Sequence, residues 1–362
     1  MAKYIYNNSN WTHFTWDDQA INAVFGELKL LQGNIISQMN LLGFSAKTEA
    51  KLGALTLDVV KSSEIEGELL NYNQVRSSIA RRLGINIAGL VESNRQIEGV
   101  VEMMLDATQR FEQKLTHKRL FGWHAALFPT GYSGPYAIEV GKYRTGEMQV
   151  VSGAMGHEKI HYEAVDAKKV KSEMTRFLDW LNNNNQLDPV MKAAIAHFWF
   201  IIIHPFDDGN GRIARAITDM LLARADKSSK RFYSMSTQIQ AERNVYYEIL
   251  ERTQKGNLDI TAWLKWFLDC LMRSMEQTDE TIKKTMTRAQ FWEANKETPF
   301  NARQQKILHL LLADFFGVLR VSKYAKIVKT STDTALRDLQ DLVKKNILEQ
   351  KGSGRSTFYI LK

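Results

Sequence analysis

The chain has 362 residues, 44% hydrophobic and 24% charged, which is ordinary for a globular protein and long enough for two or three domains. Its longest apolar stretch, AAIAHFWFIII at 193–203, falls far short of the roughly 20 residues that span a bilayer, and the start MAKYIYNNSN lacks the regions of a signal peptide, so a cytoplasmic protein without membrane association is expected. Cys270 is the single cysteine, which excludes an internal disulfide, and the net charge of +8 sits almost wholly on residues 301–362, where 12 Lys and Arg meet 5 Asp and Glu.

Five prolines and pervasive helical periodicity predict a mainly α protein. Residues 1–110 read as a helical domain with helices near 17–40, 47–66, 72–83 and 90–114. Gly43 is a stop and Ser45 or Thr48 a new start; Arg81 and Arg82 followed by Gly84 close the third helix. A core domain is expected over 111–275. Within it, GKYRTGEMQVVSGAMGHEKIHYEAV (141–165) breaks the pattern: MQVVS and KIHYEA are β-prone runs around a turn, a hairpin that must lie across something to be stable. Asp188 and Pro189 then start a helix, VMKAAIAHFWFIII, apolar nearly all round and therefore buried. QAERNVYYEILERTQKG and ITAWLKWFLDCLMRSM are further helices, and 276–300 is a polar helical connector. Residues 301–362 read as three helices, the first capped by Asn301 and the third near Ser331 or Thr332, then strand, turn and strand: a winged helix-turn-helix.

The chemistry concentrates in HPFDDGNGRIAR, residues 204–215. Pro205 steers His204 out of the α region, so the apolar helix stops there. A new helix begins near Arg212, and the intervening loop feeds an N-terminus whose free amides and dipole favour an anion. Gly209 and Gly211 let the backbone approach a ligand; Arg212 and Arg215 share one helical face. Together these suit a polyphosphate. Such a ligand usually brings Mg²⁺, for which Asp208 is the candidate carboxylate, while Asp207 faces solvent. His204 stands at the rim as a general base, which points to phosphoryl or nucleotidyl transfer to an alcohol.

This stretch resembles the signature of the Fic family, HPFx[DE]GNGRxxR, at every specified position. The resemblance implies a Fic-type helical core with a β-hairpin flap that transfers AMP from ATP to a Ser, Thr or Tyr hydroxyl of a protein. By the same resemblance His204 deprotonates the hydroxyl and Asp208 binds Mg²⁺. Gly209, Asn210 and Gly211 hold the phosphates, and Arg212 and Arg215 contact them, Arg215 at the γ-phosphate. The hairpin is similar to the family's flap, with Val150, Val151, Ser152 and Gly153 beside the nucleotide. Its edge would pair with an extended target segment. YYEILERTQ resembles the adenine-side wall, through Tyr246, Tyr247 and Gln254, the last at a position that is asparagine in relatives.

KSSEIEGELL (61–70) places Glu66 in the last turn of its helix, where the macrodipole disfavours an acid and a cationic partner is expected. It resembles the [ST]xxxE[GN] inhibitory motif of Fic proteins, as Ser62, Glu66 and Gly67, in the subgroup with an N-terminal inhibitory helix. Glu66 would then pair with Arg215 and withdraw it from the γ-phosphate. In some relatives the same glutamate helps remove AMP, so de-modification stays open, as does self-modification. The third C-terminal helix and Arg355 in the wing would meet DNA, although Asp333, Asp338 and Asp341 on that helix speak for a protein partner instead. A homodimer is expected by analogy alone. The alternatives are a DNA-binding regulator whose core senses nucleotide without turnover, and a Fic enzyme with another nucleotide donor.

Overall fold

The computed structural model describes residues 3–41, 43–87, 89–152, 159–184, 186–312 and 318–362. Contacts along the chain divide it into two compact units, Met1–Thr278 and Asp279–Lys362. The first opens with α1 (Asp18–Leu41), α2 (Phe44–Ile65), α3 (Tyr72–Leu83), α4 (Arg95–Gln109) and α5 (His117–Leu127). Two short antiparallel pairs follow, β1 (Tyr132–Ser133) with β2 (Tyr136–Ala137), and β3 (Gln149–Ser152) with β4 (Lys159–Glu163). Then come α6 (Ala167–Asn183), α7 (Pro189–Ile203), α8 (Asn210–Ala225), α9 (Met235–Ala241), α10 (Arg243–Gln254) and the first part of α11 (Thr261–Ala294), whose residues from Asp279 on belong to the second unit. No described helix is long and apolar enough to cross a membrane.

Local chemistry sets the boundaries. Asn71 caps α3 by accepting from Gln74 N, and Gly84 closes it at φ +65° with Arg81 and Arg82 in the last turn. Helix α2 begins at Phe44, with Gly43 in extended conformation before it, ahead of the expected Ser45 or Thr48. The helix expected over 90–114 is shorter, because the Asn94 side chain accepts from Ile97 N and fixes the start at Arg95. The β1–β2 pair was not expected from the sequence.

The centre of this unit is α7 packed on α8. Asp188 caps α7 by accepting from Val190 N, Pro189 fills the first position, and every residue from Val190 to Ile203 is buried. His197, inside α7, is buried among polar partners: Thr218 Oγ1 at 2.9 Å and Tyr246 Oη at 2.9 Å. Because Thr218 donates its own proton to Ala214 O, Nδ1 of His197 is the protonated nitrogen and Tyr246 donates to Nε2. Burial, with Arg215 nearby, lowers this histidine to about 3, so it stays neutral.

An ionic cluster ties α2 to α8. Arg231 donates to Asp219 Oδ1 at 2.6 Å and approaches Asp58 Oδ2 at 3.4 Å, and Ser234 Oγ donates to Asp58 Oδ1 at 2.6 Å. All three charged groups are buried, two carboxylates against one guanidinium. Burial and the neighbouring Asp219 push Asp58 up to about 8, so Asp58 carries the proton at neutral pH while Asp219 keeps the closer contact to Arg231.

The second unit holds α12 (Ala302–Leu311), α13 (Val321–Val328), α14 (Thr332–Lys344) and the antiparallel pair β5 (Leu348–Lys351) with β6 (Phe358–Leu361). Asn301 begins α12 with a reciprocal cap, its side chain accepting from Gln304 N while Gln304 Oε1 accepts from Asn301 N. Ser331 caps α14. Leu308, Tyr324, Leu339, Leu342, Leu348 and Tyr359 form much of its apolar core, and Leu319 bridges to Tyr359 beside the hairpin.

Candidate active site

Helix α7 ends where the sequence places its stop. His204 adopts φ +50°, ψ +60°, a left-handed cap that turns the chain into the loop before α8. A non-glycine residue before proline is strained in that region, so the surroundings must hold it. His204 N donates to Phe200 O at 3.0 Å, and Arg144 Nε donates to His204 O at 2.7 Å. Asn210 closes the loop from the other side: its Oδ1 accepts from Phe206 N at 3.0 Å and its Nδ2 donates to Phe206 O at 2.8 Å. The Asn210 side chain is therefore committed to shaping the loop, and its backbone is left for the phosphates that the sequence places here.

The His204 ring is half-buried, with Nδ1 3.2 Å from Ile201 O. A carbonyl only accepts, so Nδ1 carries the proton and Nε2 keeps its lone pair. Burial lowers this histidine below the usual range, outweighing the Ile201 carbonyl, and Arg144 adds to the lowering. At neutral pH the ring is an unprotonated base. His124 plays a different part. It stacks on Phe206 at 4.3 Å between ring centroids, accepts from Gly141 N at Nδ1, and so donates from Nε2 to Asp208 O at 3.2 Å. Burial lowers it to about 4, and it acts as a neutral spacer under the loop.

The two aspartates separate. Asp207 accepts from Glu139 N at 3.0 Å and anchors the segment after β2, which corrects the expectation that it merely faces solvent. Asp208 accepts from Gly209 N at 2.6 Å and from Ser133 Oγ, lies 3.7 Å from Arg212, and keeps a side chain 43% exposed. Among the described residues no group of three or more His, Cys, Asp or Glu could hold a metal by itself. A single accessible carboxylate fits Mg²⁺ arriving with phosphate oxygens, which needs only one or two protein ligands.

Helix α8 starts with no side-chain cap, its N-cap Gly209 at φ +79°, so its first amides are available to an anion. Glycine is required at 209, where φ is positive and a Cβ would meet Phe128 Cε2 at 2.9 Å; a Cβ on Gly211 would stand 2.0 Å from Glu66 Oε1, the tip of a side chain able to shift. The Glu66 carboxylate thus rests against the first turn of α8, where the sequence reading places phosphates.

Both arginines of the motif are buried, and each is met by an acid. Arg215 donates to Ser62 Oγ at 2.8 Å, to Ser62 O at 2.8 Å and to Glu66 Oε1 at 2.7 Å. Arg212 donates to Glu68 Oε2 at 2.7 Å, its guanidinium 5.0 Å from the centre of the Phe128 ring. Yet Arg215 NH1 and Arg212 Nε are buried with no hydrogen-bond partner in the described structure. Unsatisfied buried donors are rare and costly, and Arg215 NH1 lies 3.2 Å from where a Cβ on Gly211 would stand, at the first turn of the uncapped helix. Glu66 is the residue after the last turn of α2 rather than within it, and Gly67 reverses the chain at φ +87°, a conformation that favours glycine.

The hairpin pairs Gln149 with Glu163, Val150 with Tyr162, Val151 with Ile160 and Ser152 with Lys159, with a bulge between Val150 and Val151. Tyr162 anchors it by donating to Ile202 O at 2.8 Å, and His161 meets Glu251 of α10 at 2.7 Å. Gly153, also expected at the nucleotide, lies outside the described residues. Of the two wall tyrosines, Tyr246 is buried with its hydroxyl bonded to His197, and Tyr247 is 38% exposed. Both are close enough to Arg215 and Glu66 for those charges to act on their phenols, whose pKa burial raises. Gln254 is buried in the last turn of α10. Sequence reasoning missed Glu68, Ser133, His124 and Arg144. The repeated acid of EGE was a usable signal for Glu68, and the turn-rich GYSGPY one for Ser133; nothing local marks His124 or Arg144.

The Fic/DOC family model matches residues 114–222, and a domain of unknown function, DUF4172, matches residues 4–85. Two proteins called protein adenylyltransferase Fic, from Drosophila willistoni and Drosophila mojavensis, are 30% and 31% identical over 236 residues, 64% of this chain. The chain spans only 43% of their length. A Fic family protein of Desulfovibrio desulfuricans shares the fold at TM-score 0.56 and 20% identity, covering 95% of this chain and 96% of its own. Fic-1 of C. elegans does so at 0.51 and 22%, covering 73% and 74%.

Proposed function

Residues 114–222 form a Fic/DOC family domain, and on that premise we propose that the protein is a nucleotidyltransferase that moves AMP from ATP to a protein hydroxyl and is held at rest by Glu66. The observation that carries the reading is the pair of buried arginines with spare donors beside the open start of α8, one loop away from a histidine whose Nε2 has no hydrogen-bond partner among the described residues. A triphosphate supplies the acceptors those donors lack, and the first amides of α8 add to its binding. His204 Nε2 takes the proton of the incoming hydroxyl. The hydroxyl oxygen bonds to the α-phosphorus, the α–β bridging bond breaks, and pyrophosphate leaves. Asp208 would hold the Mg²⁺, which neutralises charge on the phosphates when bound.

In the resting arrangement the Glu66 carboxylate competes for the same ground. It is hydrogen-bonded to Arg215 and lies against Gly211, so the phosphates and the carboxylate cannot share that place. Glu68 does the same for Arg212. The similarity of the curated relatives supports the choice of AMP as the group transferred, and the hairpin supports an extended protein segment as acceptor. Intact-mass measurement after incubation with Mg·ATP tests the reading, comparing wild type, Glu66→Gly and His204→Ala. A mass gain of one AMP on the chain itself or on an added acceptor, larger in Glu66→Gly and absent in His204→Ala, is expected. No gain in any of them, with acceptors from a cell extract included, refutes it.

A further inference from the structure

The C-terminal unit hides its charge pattern from a sequence reading. Helix α14 carries three acids, which would repel a polyanion if all three faced outward. Asp338 does not: it is 6% exposed and accepts from Asn301 Nδ2 at 2.9 Å, Arg303 Nε at 2.7 Å and Tyr324 Oη at 3.0 Å. Asp341 accepts from Gln304 Nε2 at 2.8 Å and Lys345 Nζ at 2.5 Å. With Ala335, Leu339 and Leu342 on the core side, the outward stripe of α14 is Asp333, Leu336, Arg337, Gln340 and Lys344, with the Asp341 carboxylate, paired to Lys345 and 44% exposed, beside it. Helix α13 precedes it across a three-residue turn, Lys329 to Ser331, and exposes Lys326 and Lys329. None of Lys326, Lys329, Arg337 and Lys344 is paired with a carboxylate among the described residues.

We infer that α14 is a groove-reading helix for double-stranded DNA, with Arg337 and Gln340 facing base edges and Lys329 and Lys344 facing phosphates. Two helices joined by a three-residue turn, the second presenting a polar stripe, form the unit that enters the major groove. The side chains match that use. Arginine pairs with guanine O6 and N7, glutamine with adenine N6 and N7, and an exposed leucine meets thymine methyl groups. A protein interface would be depleted in lysine, whereas this surface is rich in it. The inference does not depend on the transferase reading.

The full chain titrated into a labelled random-sequence duplex, followed by fluorescence anisotropy across a salt series, tests it. The affinity should fall log-linearly with salt, with a slope of about −2 for the two phosphates that Lys329 and Lys344 face. Arg337→Glu with Lys344→Glu should weaken binding at least about tenfold and flatten the slope by about 1, because of the two only Lys344 faces a phosphate. Lys168→Glu with Lys171→Glu, exposed on α6, should leave both unchanged, and thermal melting should show each variant folded. Absence of binding at about 50 mM salt, equal affinity for single-stranded DNA, or binding indifferent to the α14 substitutions would overturn the assignment.

Discussion

Replacing Glu66 isolates the resting contact. In Glu66→Gly the 2.7 Å hydrogen bond to Arg215 is lost and the space against Gly211 opens, while Ser62 still accepts from Arg215 at two atoms. Arg215 is buried and Glu66 one-third exposed, so the contact is a charge-assisted hydrogen bond of partial burial, contributing about 1.5–3 kcal/mol. A nucleotide no longer competing with it should occupy its productive position about 10- to 150-fold more readily, at 1.36 kcal/mol per decade. Initial rates of AMP transfer from α-labelled ATP at subsaturating nucleotide measure this. Glu66→Gln separates charge from occupancy: the amide still fills the space and accepts one hydrogen bond, so its rate should fall between the other two. Equal rates for wild type and Glu66→Gly would refute the resting role, and equal rates for Glu66→Gln and Glu66→Gly would refute the steric half of it.

Glu68→Gln should lower the Kd for nucleotide about threefold to tenfold by calorimetry, the modest effect of an ion pair one-third exposed on the acid's side; an unchanged Kd would remove Glu68 from the resting state. His204→Ala should reduce transfer by about 10²- to 10⁴-fold, and in the wild type kcat/KM should rise with pH and level off below the ordinary histidine value, since burial lowers this ring. A limb at or above the ordinary value would contradict the burial argument. Asp219→Asn should destabilise the fold by about 3–5 kcal/mol, because it takes from buried Arg231 its 2.6 Å partner, whereas Asp58→Asn replaces a protonated acid and should cost about 1 kcal/mol or less. The raised Asp58 holds a proton that the unfolded chain releases, so its share of stability declines as pH rises from the ordinary aspartate range to about 8. The difference between wild type and Asp58→Asn in denaturant melts should change across that window in that sense.

What was legible in the sequence was whatever local chemistry decides. Asp188 with Pro189, Gly84 after Arg81 and Arg82, Asn301 and Ser331 each fix a helix end within a few residues, and these were readable, whereas the Asn71 cap and the Gln304 partner of Asn301 were not read. The contiguous motif was readable for the same reason. What escaped depends on distant partners. The Asn210 side chain closes the loop on Phe206, a role the motif does not announce; Asp338 looks like an exposed acid, yet Asn301, Arg303 and Tyr324 enclose it. Arg144 and His124 carry the loop from 60 and 84 residues away, and no spacing rule connects residues that far apart.

The two ends of α2 explain how the resting contact can be both firm and reversible. Toward its middle, Asp58 belongs to the buried cluster with Asp219 and Arg231, and near its end Ser62 is buried against Arg215. Withdrawing α2 as a rod would uncover these groups at a cost of several kcal/mol. Beyond Ile65 the situation changes: Glu66 and Glu68 each keep about a third of their side chains in solvent, on either side of Gly67 at positive φ. Their carboxylates can swing out into water and be solvated there, leaving the helix where it is. Nucleotide entry should therefore leave hydrogen-exchange protection of the α2 amides intact while changing that of residues 66–70; loss of protection along α2 itself would show instead that the helix moves as a body.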